Sequence, residues 1–341
     1  MPLIRPSVAA LTPYTPGEQP RVPGLIKLNT NENPYPPSPR VGEVLKSFAA
    51  ERLRLYPDPV ATELRAAIAE LHGCAIENVF AGNGSDETLA LCTRAFVPPG
   101  GAVGCFEPSY SLYPVLAAIA DVPTRRVALT DSFEWVTPDP GLAPLFFLTT
   151  PNAPTGMLYP RAALEAFCES FRGVVLLDEA YADFAPENGM EFAVRYPNVL
   201  VSRTLSKSYS LAGIRLGYAI GAAPLIEAMF KIKDSYNLDA LTQAIGLAAI
   251  RDQAWMQANA AKIIATRERV TRELEKRGWG VRPSATNFVF AKPSGRSAAE
   301  LFDHLRAKAI LVRHFPGPRT GDFLRITIGT DEQMDALLAA F

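Results

Sequence analysis

From about residue 102 onward, short apolar runs alternate with stretches of helical period. The runs fall at 102–106, 127–129, 145–149, 174–177, 199–202 and 217–220. They are too short for helices and are bounded by Pro and Gly, so they predict strands buried on both faces. Strands of that kind belong to a mostly parallel sheet covered by helices. Upstream, the pattern predicts helices at about 40–52 and 61–72, then a strand and glycine turn at 78–84 leading into a helix through Ser85 and Asp86. After about 224 the texture changes. A helix near 224–234 precedes a long, mostly helical stretch at about 240–277, followed by strands at 288–291, 310–313 and 323–328 and helices at about 297–308 and 331–340.

These elements predict an α/β chain in three parts. Residues 1–40, rich in Pro and Asn, form an extended arm lying on the body or on a partner subunit. Residues 41–235 form a large domain around the parallel sheet, and residues 236–341 a smaller α+β C-terminal domain.

Composition narrows the partners. The 341 residues are 48% hydrophobic, an ordinary globular balance with room for more than one domain. With 34 basic and 35 acidic residues and no long block of one sign, no nucleic-acid surface is expected. Cys74, Cys92, Cys105 and Cys168 lack CxxC spacing, and His72, His304 and His314 do not cluster with them, so neither a metal site nor a disulfide framework is expected. The first residues lack the apolar core of a signal peptide, and no run of roughly 18 apolar residues occurs. A soluble, cytoplasmic protein without a membrane partner is the expectation.

The chemistry centres on residues 202–215. Lys207 places an amine beside Thr204, Ser206 and Arg215, two hydroxyls and a guanidinium suited to a phosphate dianion. An amine next to an anion site suits an aldehyde that carries a phosphate, pyridoxal 5′-phosphate; a solvated surface lysine is the plain alternative. Other stretches supply the remaining parts such a cofactor needs. Asp178 ends an apolar run, where a buried carboxylate calls for a cationic partner such as a pyridinium. Tyr181 and Asn152 can donate to the ring oxygen, and Tyr110, after another strand, can stack on the ring. Backbone amides at Gly84, Ser85 and Asp86 open a helix and form an anion site. Each feature alone also fits a helix cap, a packed tyrosine or a Pro/Gly turn. Gly82-Asn83-Gly84 lacks the third glycine of a dinucleotide fingerprint, because Glu87 stands there.

Taken in order, GSDE, EPSY, PNAPTG, DEAY, TLSK and LAGIRLG resemble fold-type I pyridoxal-phosphate enzymes of the aminotransferase class, over about residues 11–330. The resemblance implies a Schiff-base lysine at Lys207, a pyridinium partner at Asp178, ring-oxygen donors at Asn152 and Tyr181, and a stacking ring at Tyr110. It further implies a phosphate cup of Gly84, Ser85, Asp86, Thr204, Ser206 and Arg215, and a homodimer in which Tyr56 reaches the neighbouring subunit's phosphate. Within that class LTPYTPG, LNTNENPYPP, the YPDP turn and LRITIGT look like the histidinol-phosphate aminotransferase branch. That likeness implies substrate contacts from Tyr14, Asn33, Asn152, Arg313 and Arg325, with 2-oxoglutarate as amino acceptor. Ala153 departs from the asparagine more usual in the branch. An aromatic amino-acid aminotransferase, a threonine-phosphate decarboxylase and a silent protein of the same fold stay open as alternatives.

Overall fold

The computed structural model describes residues 3–13, 16–20 and 22–341. After β1 (Ile26–Lys27) come β2 (Val79–Gly82), β3 (Val103–Glu107), β4 (Thr124–Ala128), β5 (Leu145–Thr149), β6 (Val174–Asp178), β7 (Val199–Thr204) and β8 (Gly217–Gly221). The last seven form one sheet in the order β2-β8-β7-β6-β5-β3-β4. Within it β8 runs antiparallel to both neighbours, and the other pairs are parallel. Leu145, Phe146, Phe147 and Leu148 are wholly buried, as are Val199, Leu200 and Val201. Helices cover both faces, which explains why these strands show no polar alternation.

The strand direction places the chemistry. The C-terminal ends of β3, β5, β6 and β7 lie along one edge of the sheet, and β2 ends there too, leading into the helix Gly84–Phe96. Ligands of open α/β sheets bind at that edge.

A second, four-stranded sheet is built from β9 (Gly280–Val281), β10 (Phe288–Lys292), β12 (Arg313–His314) and β13 (Leu324–Thr327) in the order β12-β13-β10-β9, all antiparallel. β1 of the arm pairs in parallel with β11 (Ile310–Leu311), and Leu28, 1% exposed, accepts a backbone bond from Thr327. The arm is therefore tied to the C-terminal part by sheet hydrogen bonds.

Several elements differ from the sequence pattern. The run at 127–129, expected to be buried on both faces, falls at the end of the largely exposed edge strand β4, and the arm, expected to be extended, holds a short helix, Pro6–Ala9. The strand expected at 310–313 is two, because Ile310–Leu311 serves the arm and Arg313–His314 serves β13. The helical stretch at 240–277 breaks at Arg251 and Asp252 into Ala240–Ile250 and Gln253–Lys276. Ala240–Ile250 packs on Pro39–Ser47 and Thr62–His72, whereas Gln253–Lys276 runs along the second sheet; one straight helix cannot meet both. The helix expected at 40–52 stops at Ser47 and resumes as a 3-10 turn, Ala50–Arg54. Among the described residues no helix is long and apolar enough to cross a membrane.

Candidate active site

A cleft of about 470 Å³ opens at the C-terminal edge of the large sheet and is walled on the far side by Arg313, Phe315 and Arg325. Lys207 follows β7. Its Nζ donates to Thr30 O at 3.3 Å and lies 6.0 Å from the centre of the Tyr181 ring. Burial, then the Arg325 and Arg215 guanidinium groups, pull its pKa down to about 8 against the opposing pull of Glu32 and Asp86. The shift favours the neutral amine that a nucleophile requires.

The loop that carries Lys207 is anchored by buried charge. Arg203 donates to Glu179 Oε2 at 2.8 Å through Nε and to Asp183 Oδ1 at 2.8 Å through Nη1. Asp183 in turn accepts from the Ser208 hydroxyl, one residue beyond the lysine.

Asp178 closes β6 at 4% exposure. The Tyr113 hydroxyl donates to its Oδ2 at 2.7 Å, while its Oδ1 is buried and has no partner among the described residues. Burial pushes its pKa up to about 6 against the opposing hydrogen bonds from the Tyr113 hydroxyl and the Ala180 backbone N–H, and the Asp86 and Glu179 carboxylates add to the rise. A buried, half-satisfied carboxylate of this kind fits a cationic N–H such as a protonated pyridine nitrogen.

At the other end of the cleft the helix Gly84–Phe96 points its N-terminus inward, with Ser85 and Asp86 on the wall. Arg215, in a left-handed conformation (φ 55°), donates to Ser206 Oγ and to Asp86 Oδ2, both at 3.3 Å. Thr204 Oγ1 donates to Ser206 Oγ at 3.0 Å. Helix amides, hydroxyls and a guanidinium that converge in this way fit a phosphate. Asp86 supplies the negative charge that holds Arg215 in place, and it also accepts from the Tyr110 hydroxyl at 3.3 Å.

The cup leaves no room for extra carbon. A Cβ on Gly84 (φ 77°) would lie 2.7 Å from Arg215 Nη2, and one on Gly217 would lie 2.6 Å from Ser85 N. The second clash is with backbone. Gly217→Ala is accordingly expected to push the helix start aside and weaken phosphate-dependent cofactor binding by about tenfold or more, a cost of roughly 1–3 kcal/mol. Equilibrium titration of the apoprotein with pyridoxal phosphate, beside pyridoxal lacking the phosphate, checks this: only the phosphorylated form should lose affinity.

Most of the residues singled out in the sequence meet here: Ser85, Asp86, Tyr110, Asp178, Tyr181, Thr204, Ser206, Lys207, Arg215, Arg313 and Arg325 all line the cleft. Arg325 donates to Asn29 O at 3.0 Å and Arg313 to Pro16 O at 3.2 Å, both guanidinium groups lying over Phe315. Gly84 lies under Arg215 rather than on the wall.

Two amides stand differently from expectation. Asn33 donates to Lys207 O and Ser208 O at 3.0 and 3.1 Å, so it braces the lysine loop and has no hydrogen left for a substrate. Asn152 is wholly buried and gives its two hydrogens to Thr155 Oγ1 at 2.8 Å and Pro108 O at 3.2 Å, with its Oδ1 unpartnered. Tyr56 does not line this cleft; it is 80% exposed and stacks on Tyr236 at 4.4 Å. Tyr14 lies outside the described residues.

Others were not foreseen. Asn31 reaches Tyr181, Tyr113 holds Asp178, and Arg126 meets both oxygens of Glu107 at 3.1 Å on the cleft wall. The asparagine-rich arm hinted at the first. The other two carried no local signal.

A lysine-bearing cleft with a pyridinium-type carboxylate at one end and a phosphate cup at the other, on the C-terminal edge of this sheet, defines the pyridoxal-phosphate class of site. Residues 23–341 match the profile of class I and II aminotransferases, and the chain belongs to that family. It is 48% identical to the histidinol-phosphate aminotransferase of Chromohalobacter salexigens, over 98% of this chain and 97% of that one. It is 47% identical to the enzyme of the same name from Synechocystis sp., over 99% and 97%. Among solved structures, the histidinol-phosphate aminotransferase of Sinorhizobium meliloti in complex with pyridoxal-5′-phosphate superposes with a TM-score of 0.88 at 27% identity, covering 100% of this chain and 96% of that one.

Proposed function

We propose that this aminotransferase uses pyridoxal 5′-phosphate to move the amino group of L-histidinol phosphate to 2-oxoglutarate, releasing imidazole acetol phosphate and glutamate. The observation that carries the substrate is the near-full-length identity of 48% and 47% to two relatives of that name. Arg313 and Arg325 on one wall suit it, since they can hold a phosphate in one half-reaction and a carboxylate in the other.

When bound, the cofactor supplies an electron sink that makes the substrate's α-hydrogen acidic. The chain's own residues do the rest. Asp178, with its buried Oδ1, would hold the ring nitrogen in its protonated form. Ser85, Thr204, Ser206, Arg215 and the amides at Gly84 to Asp86 hold the phosphate, and Tyr110 covers one ring face. Tyr181 would donate to the ring oxygen, and the Lys207 amine would take and return the substrate proton as general base and acid.

The same reading includes a homodimer. The large apolar surface left exposed by Leu53, Leu55, Tyr56, Val60 and Tyr236 supports it, and on this reading Tyr56, which does not line its own cleft, serves a neighbour's phosphate. It also keeps the division into an arm (1–40), a large domain (41–235) and a small domain (236–341), supported by the two separate sheets, and a cytoplasmic setting, supported by four unpaired cysteines.

Steady-state kinetics with L-histidinol phosphate, L-phenylalanine and O-phospho-L-threonine, each with 2-oxoglutarate, tests the assignment. Histidinol phosphate is expected to lead in kcat/KM by about 10²-fold or more. Equal use of phenylalanine would make this an aromatic aminotransferase, and CO2 release from phosphothreonine a decarboxylase.

A further inference from the structure

Asn31 sits in the arm, 2% exposed, with a φ of 58°. The Asn31 backbone N–H donates to Thr327 Oγ1 at 3.0 Å, and that hydroxyl places its own hydrogen on Asn31 Oδ1 at 3.0 Å, which favours one orientation of the amide. The Asn31 carbonyl accepts from Asn287 Nδ2 at 2.9 Å, which fixes the backbone as well. With Oδ1 engaged by Thr327, the Nδ2 end is the one that faces Tyr181, and it donates to the Tyr181 hydroxyl at 2.8 Å.

A tyrosine hydroxyl has one hydrogen to give and lone pairs that accept. With an amide N–H already directed at a lone pair, the hydroxyl hydrogen has to turn away from Asn31. Among the described residues no acceptor takes it, and Tyr181 lines the cleft together with Lys207 and Asp178.

We propose that Asn31 is a positioning residue: through the chain Thr327–Asn31–Tyr181 it sets the tyrosine hydroxyl as a committed hydrogen-bond donor to the ring oxygen of bound pyridoxal phosphate. This rests on the cofactor reading given above. It assigns a function to the arm, whose strand pairing places Asn31 between Tyr181 on the large-sheet side and Thr327 on the second sheet.

The consequence is spectroscopic. A donor held against the ring oxygen draws charge from it and loosens that oxygen's hold on the proton of the lysine nitrogen joined to the cofactor. The visible band of the holoenzyme then changes with pH at a lower midpoint than it would without the donor. Absorbance titrations, without substrate, of wild type, Asn31→Gly, Tyr181→Phe and the double variant test this; glycine retains the left-handed backbone. Asn31→Gly is expected to raise the midpoint by about half a unit to one unit. Tyr181→Phe should raise it at least as much, and Asn31→Gly should add nothing in the Phe background, as for two residues acting through one bond.

An unmoved midpoint in Asn31→Gly overturns the proposal, as does an equal shift in both backgrounds, which would mark a packing effect. Should Asn31→Gly fail to hold the cofactor, Thr327→Val keeps the Asn31 side chain and the Asn287 hold on its carbonyl, gives up the Thr327 bond to its N–H, and frees its amide to rotate. It is expected to raise the midpoint in the Tyr181 background only, and no shift there likewise overturns the proposal. A wild type with no visible band would overturn the cofactor reading and this step with it, whereas a normal band with an unmoved midpoint overturns this step alone.

Discussion

Lys207→Ala is expected to leave a folded protein that still takes up pyridoxal phosphate, lacks the lysine-dependent visible band, and turns over at least about 10⁴-fold more slowly than wild type, the upper range for loss of a general acid–base group. On the proposed reading the cofactor's other holds are elsewhere, Asp178 at one end and the Arg215 cup at the other. The fold should not suffer, because the lysine loop is held through the backbone by Asn33 and through Ser208 by Asp183. Removing a partly buried ammonium that faces Arg325 and Arg215 also relieves repulsion. Single-turnover kinetics with L-histidinol phosphate, alongside thermal unfolding of the apoprotein, separates the two effects. Turnover within tenfold of wild type would assign the proton transfer to another group.

Asp178→Asn should have opposite effects on the empty and the loaded protein. In the apoprotein the carboxylate is buried with one oxygen unpartnered, and its pKa is raised from 3.8 to about 6. For a carboxyl group with a raised folded-state pKa, the native state binds the extra proton, so stability falls as pH climbs from about 4 to about 6 and then levels off. A shift of that size corresponds to about 3 kcal/mol. Apo Asp178→Asn is therefore expected to be more stable than apo wild type by about that much near pH 8, with the advantage vanishing toward pH 4. With the cofactor bound the order reverses, since a pyridinium loses its counter-charge at a cost of about 3–5 kcal/mol. Turnover should drop by about 10²–10⁴-fold as a result. Urea titrations at the two pH values, with and without pyridoxal phosphate, read both signs. A variant less stable than wild type in the apo form near pH 8 would mean that Asp178 serves the fold rather than the ligand.

Both predictions concern residues that short stretches of sequence announce. Lys207 stands within a dozen residues of Thr204, Ser206 and Arg215, and these meet at one end of the cleft because a strand end and the turn after it keep near neighbours together. Asp178 is legible because a carboxylate that closes a run of four apolar residues must be buried. Arg313 and Arg325, read only through the resemblance, arrive on the opposite wall because β12 and β13 pair Arg313 directly with Arg325.

Where expectation and structure part, the cause is competition for hydrogen-bond partners. Asn33 and Asn152 carry the amide chemistry a substrate or ring oxygen would want, yet the fold brings Lys207 O and Ser208 O to the first, and Thr155 Oγ1 and Pro108 O to the second. Such choices are invisible in spacing. The helix break at Arg251 and Asp252 is of the same kind, a periodic stretch divided because its two halves pack against different bodies.

The apolar runs by themselves determined a mostly parallel sheet with the buried strands β3, β5, β6, β7 and β8, and the local motifs picked out Lys207, Asp178 and the residues around Arg215 that meet in the cleft, because burial and anion binding depend on a few consecutive residues. Only the tertiary structure decided which side chain orients which. Tyr113 reaches Asp178 across 65 positions, and Thr327 sets Asn31 across 296. A hydrogen bond is formed over about 3 Å in one direction. That distance exists only once the sheet has gathered its strand ends on one edge and the arm has been paired across them.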